Sequence, residues 1–297
     1  EGAAGKLDIY TAQWVTMHQE TCQATRVRGE QSLELMDQRM ACLDTRMVEV
    51  RALTELFSRA SDSLISRAVT ATDHLSPLDE CADLEGLTSG ERLPVDPTAR
   101  EAVVQSGQTL ARARAHLDIG EYKSGLELTL TAVDQLGDTQ WCRGTTDIAL
   151  LKGLFYDRLG RGEEAVVEFK EAYWTGLSCG YDMLAAESAR ELVSTLGLGG
   201  KNQQALAWSR HGRSLSKRLG ERGKIFLGRL LDREGIVHYF EGNYELALDR
   251  QTQALEILEQ TSGPDSLEVA ATLINLGDTV ADAGNHGQAR LHYKHAL

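Results

Sequence analysis

Apolar residues recur at steps of three and four along nearly the whole chain, the period of helices that each bury one stripe. From residue 98 onward the stripes come in pairs, with a glycine between the two members of each pair. These glycines are Gly120, Gly160, Gly200, Gly242 and Gly284, spaced 40, 40, 42 and 42 residues apart. Glycine readily takes the left-handed backbone that closes a helix C-terminus, so each should end a first helix just before a second begins. Seven positions before the anchor lies a small residue, Ala113, Gly153, Gly235 or Gly277, with the bulkier Val193 in the third unit. Five after it come Gly125, Ala165, Ala205, Ala247 and Ala289, and twelve after it Ala132, Ala172, Gly212, Ala254 and Ala296. Small side chains at constant offsets let two antiparallel helices approach closely where they cross. Larger residues should fill the space between neighbouring units: Leu150, Leu151, Leu154, Tyr156, Leu159, Val166 and Phe169 in the second, Leu273, Leu276, Leu291 and Tyr293 in the fifth. One helix pair cannot bury its apolar face alone, so adjacent pairs stack. The pattern predicts an all-α chain whose residues 98–297 form a solenoid of about five helix-turn-helix repeats.

The third unit departs from the others. Gly197-Leu198-Gly199-Gly200 holds more glycine than the turn needs, and Arg210, His211 and Arg213 lie in its second helix. This reads either as a distortion that shapes a binding surface or as drift of the repeat.

Residues 1–90 do not follow the repeat. Met36, Met40, Leu43, Met47, Val50 and Phe57 step by four, three, four, three and seven, a heptad-like stripe. A second helix carries Leu64, Ile65, Ala68, Val69, Thr72 and Leu75 on one face and stops at Pro77. Together they predict a helical hairpin turning near Ser58 to Asp62, its methionines forming either a packed seam or an adaptable binding face. Residues 91–97, in a stretch carrying Gly86, Gly90, Pro94 and Pro97, read as the connector to the repeats. The five cysteines include no CxxC pair, and their odd number argues against a fully bridged framework; one bridge is expected at most. Cys42 lies 19 residues before Ser61 and Cys81 20 after it, which brings the two opposite each other in an antiparallel hairpin. A disulfide between them is allowed in an oxidising compartment; two thiols are the alternative, with Cys22 a competitor for either partner.

Leu150-Leu151-Lys152-Gly153-Leu154-Phe155-Tyr156-Asp157-Arg158-Leu159-Gly160 resembles the first helix of a tetratricopeptide (TPR) unit, and Glu164-Ala165-Val166-Val167-Glu168-Phe169-Lys170-Glu171-Ala172 its second. The period exceeds the usual TPR length and is similar to that of kinesin light chains, with Gly263-Pro264-Asp265-Ser266 in the connecting turn and Asn275-Leu276-Gly277-Asp278 continuing the likeness. The resemblance covers residues 98–297. It implies a right-handed superhelical TPR solenoid whose first helices line a concave groove that binds a protein or peptide. The groove residues it implies are Lys152, Tyr156, Arg229, Arg233, His238 and Asn275, the last at a position where such repeats often contact peptide backbone. Trp174 and Trp208 are equally well explained as packing between units.

A second likeness lies in residues 10–90. Cys22-Gln23-Ala24-Thr25, Gly29-Glu30-Gln31-Ser32, Asp37-Gln38-Arg39-Met40-Ala41-Cys42-Leu43 and Cys81-Ala82-Asp83 resemble the region after the catalytic domain of large bacterial serine/threonine kinases that carry C-terminal TPR arrays. It implies the sensory or scaffolding region of such a kinase. A membrane helix often separates kinase from repeats in that family, which implies a place outside the cytoplasm; the cytoplasm is the alternative. The competing reading is the TPR region of a stand-alone regulator such as a signalling ATPase or a transcription factor. The chain opens at Glu1 and ends at Leu297 inside a repeat, so it reads as a piece of a longer protein. Leu291, Tyr293 and Leu297 are too apolar for a polar capping helix, and an exposed, self-associating C-terminal face is expected.

Charge and motifs then narrow the chemistry. A net charge of −13 opposes phosphate backbones, so no nucleic-acid partner is expected. No run of about 18 apolar residues occurs, so no membrane contact is expected within this segment. Glycine-rich loop, HRD and DFG motifs are missing. Gly199-Gly200-Lys201-Asn202 resembles the end of a P-loop but lacks its first glycine, its final hydroxyl residue and a preceding strand. His286, His292 and His295 cluster near the end without an HExxH pattern. Glu163-Glu164 suits a helix start, where carboxylates meet the positive end of the dipole. No catalytic residue, metal or cofactor is therefore predicted.

Overall fold

The computed structural model describes residues 2–59, 62–84, 87, 91 and 93–297, and of residues 62–66 the backbone alone. The side chains of Leu64 and Ile65, and Gly86 and Gly90 of the expected connector, lie outside the described residues. Among those described there are thirteen α-helices and no strand, and they fall into two compact units, residues 1–159 and 160–297.

Unit one opens with α1 (Gly2–Arg26), α2 (Leu33–Phe57) and α3 (Asp62–Asp73), followed by a 3-10 turn at Asp79–Ala82. The Ser32 hydroxyl caps α2 by accepting from Leu35 N at 3.1 Å. On α2 the predicted positions Met36, Leu43 and Val50 are buried, while Met40, Met47 and Phe57 are half-buried. Ala52, Leu53 and Leu56 are buried as well, against Ala71, Ala115 and Ile119. The buried stripe is broader than a two-helix seam because α2 touches α1, α3 and the first repeat helix, α4 (Pro97–Ile119). Helix α1 is tied down by two long-range hydrogen bonds: Trp14 Nε1 donates to the Leu43 carbonyl and the Tyr10 hydroxyl to that of Ser76, both at 2.7 Å. On α3, Ala71 and Thr72 are buried, whereas Val69, expected on the apolar face, is exposed. The face is set by packing on α2 and α4, which draws in the Ala71 side.

The Cys42–Cys81 disulfide is present, with Cα atoms 5.6 Å apart. Leu43, Leu78 and Cys81 form a small core around it with Tyr10, Trp14, Met17 and Met40. Cys142 and Cys179 are disulfide-bonded too, and Cys22 is a free thiol. Four of the five cysteines are thus bonded, more than the one bridge expected from the sequence.

Pro97 opens α4, where its missing N–H costs nothing, and Asp96 accepts from Ala99 N at 2.8 Å. Helix α5 (Tyr122–Leu136) pairs with α4, and α6 (Cys142–Arg158) packs on α5. Their core gathers Val103, Leu110, Leu126, Leu136, Ile148, Leu151 and Phe155. A Cβ at Gly125 would lie 2.3 Å from the Phe155 ring, which is why that offset admits only a very small residue.

Unit two runs α7 (Gly162–Ser178), α8 (Asp182–Leu198), α9 (Asn202–Arg218), a 3-10 turn at Gly220–Gly223, α10 (Lys224–Phe240), α11 (Tyr244–Thr261), α12 (Leu267–Asp282) and α13 (His286–His295). Helix α7 packs on α8, and α8/α9, α10/α11 and α12/α13 form the pairs. All five anchor glycines are left-handed, with φ between 72° and 91°. Ala165, Ala172, Ala205, Ala247 and Ala254 are fully buried at the crossings, and so is Val193, the bulky exception. A Cβ at Gly277 would meet the Tyr293 ring at 2.3 Å. Phe169, Leu192, Leu230 and Leu273 are buried almost completely, each contributing about 1.5–3 kcal/mol. Leu291, expected to fill the fifth unit, is instead exposed, because α13 has no further helix on that side among the described residues.

The additional glycine of the third unit is a packing contact. A Cβ at Gly197 would sit 2.6 Å from the Val237 side chain, so Gly197 brings α8 onto α10 while Gly200 closes the helix. Helix α8 runs unbroken to Leu198, without distortion.

Candidate ligand-binding groove

In unit two the first helices of successive repeats, α8, α10 and α12, touch one another, and the second helices pack outside them. In solenoids of this kind the inner layer lines the binding surface. Its charges form one network. On α8, Arg190 pairs with Glu187 and Glu191. On α10, Arg229 pairs with Glu268 of α12, and the Arg229 guanidinium lies 5.9 Å from the Phe226 ring centre. Ser262 Oγ donates to the other oxygen of Glu268 at 2.6 Å. Asp232 of α10 accepts from Asn275 Nδ2 of α12 at 2.9 Å.

Two buried carboxyls of the network end on opposite sides of their ordinary range. Burial pushes the Asp232 carboxyl above its ordinary range, and the opposing Arg233 charge and the Asn275 hydrogen bond recover only part of the shift. Burial also acts to raise Glu187, but Arg190, helped by Arg229 and Arg233, outweighs it and holds that carboxyl low. Arg233 differs from the other two arginines. It is half-exposed, lies 3.9 Å from Asp232 and makes no hydrogen bond.

On the far side of α10, Glu234 is buried and accepts from Arg213 at 2.7 Å and from the Ser209 hydroxyl, both on α9. Burial would raise its carboxyl; the Arg213 and Ser209 hydrogen bonds hold it below the ordinary range. This pair clamps the third repeat to the fourth.

Of the residues predicted for the groove, Arg229, Arg233 and Asn275 come together on α10 and α12. His238 is on α10 but buried, its Nδ1 3.4 Å from Glu241 near the helix end. Lys152 and Tyr156 belong to α6 in unit one, both half-buried, with Tyr156 packed against that unit's core. Trp208 packs against Tyr173 and Leu215 beneath the outer helices α7 and α9, and Trp174 stands half-exposed beside it. Lys201 is engaged in an ion pair with Glu163 of α7. No group of three His, Cys, Asp or Glu among the described residues could hold a metal, and no described helix is long and apolar enough to cross a membrane.

Glu187, Arg190, Asp232 and Glu268 escaped the sequence reading, although a signal existed. Counting 13, 10 and 9 residues back from the anchor glycine gives Glu187, Arg190 and Glu191 in the third unit and Arg229, Asp232 and Arg233 in the fourth. Charge recurring at three offsets of a helix that should be mostly buried marks a polar inner face.

The fold and this face define an α-helical repeat scaffold of tetratricopeptide type. Residues 226–297 match the Tetratricopeptide repeat family model directly. Among solved structures, BtubC from P. vanneervenii is similar at 20% identity over 66% of this chain and 80% of that one, with a TM-score of 0.55. A Rap protein complexed with competence and sporulation factor is similar at 13% identity over 99% and 75%, TM-score 0.60. NprR in complex with its cognate peptide NprX is similar at 14% identity over 100% and 78%, TM-score 0.56. At such identities the likeness is one of fold. No curated protein matches the chain.

Proposed function

We propose that the chain is a protein-interaction module whose unit-two groove binds a peptide or an extended protein segment. The observation that carries this reading is the Arg233 guanidinium, held on the inner helix layer without a hydrogen bond and with only a 3.9 Å ion pair to Asp232, while its neighbours Arg190 and Arg229 make close ion pairs. A guanidinium so placed suits a ligand carboxylate, taken up through paired N–H donors. The Rap protein and NprR, similar in fold over the whole chain, were each solved with a bound factor or peptide, which favours the same use here. His238 and Asn275 are kept as further candidate contacts of this groove, Lys152 and Tyr156 as candidate contacts within unit one, and the exposed Leu291 and Leu297 as a self-association face.

The attachment of this module to a serine/threonine kinase rests on the likeness of residues 10–90 alone, and neither the fold nor the structural likenesses add to it. Selection from a random peptide library on the full chain tests the central reading. The expected result is an enriched family carrying a carboxylate, with amide exchange slowed on α10 and α12 when it binds. Failure to enrich any peptide, or slowing confined to other helices, would contradict it.

A further inference from the structure

Unit one contains an open cleft of about 1010 Å³ between α1 and the segment that follows α3. Its walls are mostly apolar, from Ile9, Tyr10 and Met17 on α1 and Leu75, Pro77 and Leu78 opposite. The Tyr10 hydroxyl is used up on the Ser76 carbonyl, so the ring acts as apolar wall. At the rim, Lys6 pairs with Asp73 and Glu20 with Arg28, while Asp79 lines the cleft without an ion pair among the described residues.

Arg39 also lines the cleft, and it is unlike the rest. Its residue is only 8% exposed. Nε donates to the Cys81 carbonyl at 3.2 Å and Nη1 to Gln31 Oε1 at 2.8 Å, both neutral acceptors. No carboxylate among the described residues forms an ion pair with it, Glu20 acting on it only at longer range, and Nη2 makes no hydrogen bond. The carbonyl that holds it is fixed twice, by the 3-10 turn and by the Cys42–Cys81 disulfide. Arg46, one α2 turn pair further on and equally buried, is treated quite differently: Glu49 and Glu80 neutralise it at 3.2 and 2.6 Å. A buried, uncompensated cation is costly, and proteins normally pair it. Here the buried arginine that lacks a counter-ion is the one that faces an apolar cleft of ligand size.

We propose that this cleft binds an apolar monocarboxylate, its hydrocarbon body against Ile9, Tyr10, Met17, Leu75 and Leu78 and its carboxylate on the Arg39 guanidinium. The site is independent of the unit-two groove. The ligand would supply the missing counter-ion and bury hydrocarbon at the same time, so neither a short acid nor an uncharged alcohol of equal length would satisfy both halves.

Calorimetric titration of the full chain with decanoate, with 1-decanol and with acetate tests this. Saturable one-to-one binding of decanoate is expected, at least about tenfold tighter than decanol, with acetate far weaker still. Arg39→Met should erase the preference for decanoate over decanol. Should that variant fail to fold, as judged by circular dichroism, Ile9→Glu decides instead: Ile9 is 62% exposed, so the fold tolerates the change, and a carboxylate on the cleft wall should weaken decanoate at least about tenfold. Equal affinity for decanoate and decanol, decanoate binding that ignores Ile9→Glu, or no saturable binding would each overturn the proposal.

Discussion

Asn275 of α12 donates to Asp232 of α10, 2.9 Å to one carboxylate oxygen and 3.2 Å to the other. The bond joins the inner helices of the fourth and fifth repeats and gives Asn275 a structural role. Removing the amide leaves a buried carboxylate short of donors, so Asn275→Ala should cost about 1–3 kcal/mol in urea denaturation. A loss below about 0.5 kcal/mol would mean that water replaces the amide at no cost.

Asp232 and Glu234, two residues apart on α10, should respond oppositely to neutralisation. The folded state raises Asp232, so it favours the protonated form, and stability from this group is lost as pH rises through that raised value. Asp232→Asn should therefore be neutral or stabilising at pH 7. The folded state lowers Glu234, so its contribution is present above the ordinary carboxylate value, about 4.3, and is lost as pH falls through the lower folded one. Glu234→Gln should cost about 1–3 kcal/mol at pH 7, and the gap from the parent chain should close in acid. Melting curves across pH 2–8 check both signs.

Glycine substitutions separate packing from backbone freedom. Gly223 has ordinary negative φ, yet a Cβ there would lie 2.0 Å from the Ser216 carbonyl oxygen, a backbone atom that cannot step aside. Gly223→Ala should destabilise by at least about 1–3 kcal/mol. Gly107 lies inside α4 with open space around it, so Gly107→Ala should stabilise by up to about 1 kcal/mol. Chemical denaturation of the two variants reads the contrast.

Thiol chemistry offers a direct count. Cys42, Cys81, Cys142 and Cys179 are disulfide-bonded and Cys22 is free, so intact-mass analysis should show one alkylation before reduction and five after it. The Cys42–Cys81 bridge spans 39 residues, and by the chain-entropy relation Cys42→Ser with Cys81→Ser should cost about 4 kcal/mol.

Leu291 and Leu297 stand exposed on the last helix and beyond it. Light scattering at rising concentration should show self-association that Leu291→Lys weakens. A monomer at every concentration would remove this face as an interface.

The repeats could be read from the sequence because their determinants are local. A closing glycine and small residues at fixed offsets each act within one helix pair, and Gly120, Ala165 and Ala247 do what their positions imply. Helix α1 was not legible, since its anchors, Trp14 to Leu43 and Tyr10 to Ser76, bridge 29 and 66 residues and leave no periodic trace. Val69 was misplaced for a related reason: which face of α3 is buried depends on α4, which lies outside the hairpin. The charged inner face of unit two was half legible. Arg229, Arg233 and Asn275 followed from likeness to a repeat family, whereas the acids that neutralise Arg190 and Arg229 emerge only when three stacked helices bring them together. Arg39 carried no signal, because its isolation from carboxylates is a property of the tertiary structure.

The central claim is that the inner helices of unit two hold a ligand carboxylate on Arg233. Calorimetry of a library-selected peptide against the full chain, its Arg233→Ala variant and its Arg233→Lys variant tests it most directly. Arg233 is half-exposed and makes no hydrogen bond, so both variants should stay folded, alanine losing only the 3.9 Å ion pair to Asp232. Alanine should weaken binding by about tenfold or more and lysine restore only part of it, since an ammonium cannot present the paired donors. Affinity unchanged by Arg233→Ala in a normally folded chain would contradict it.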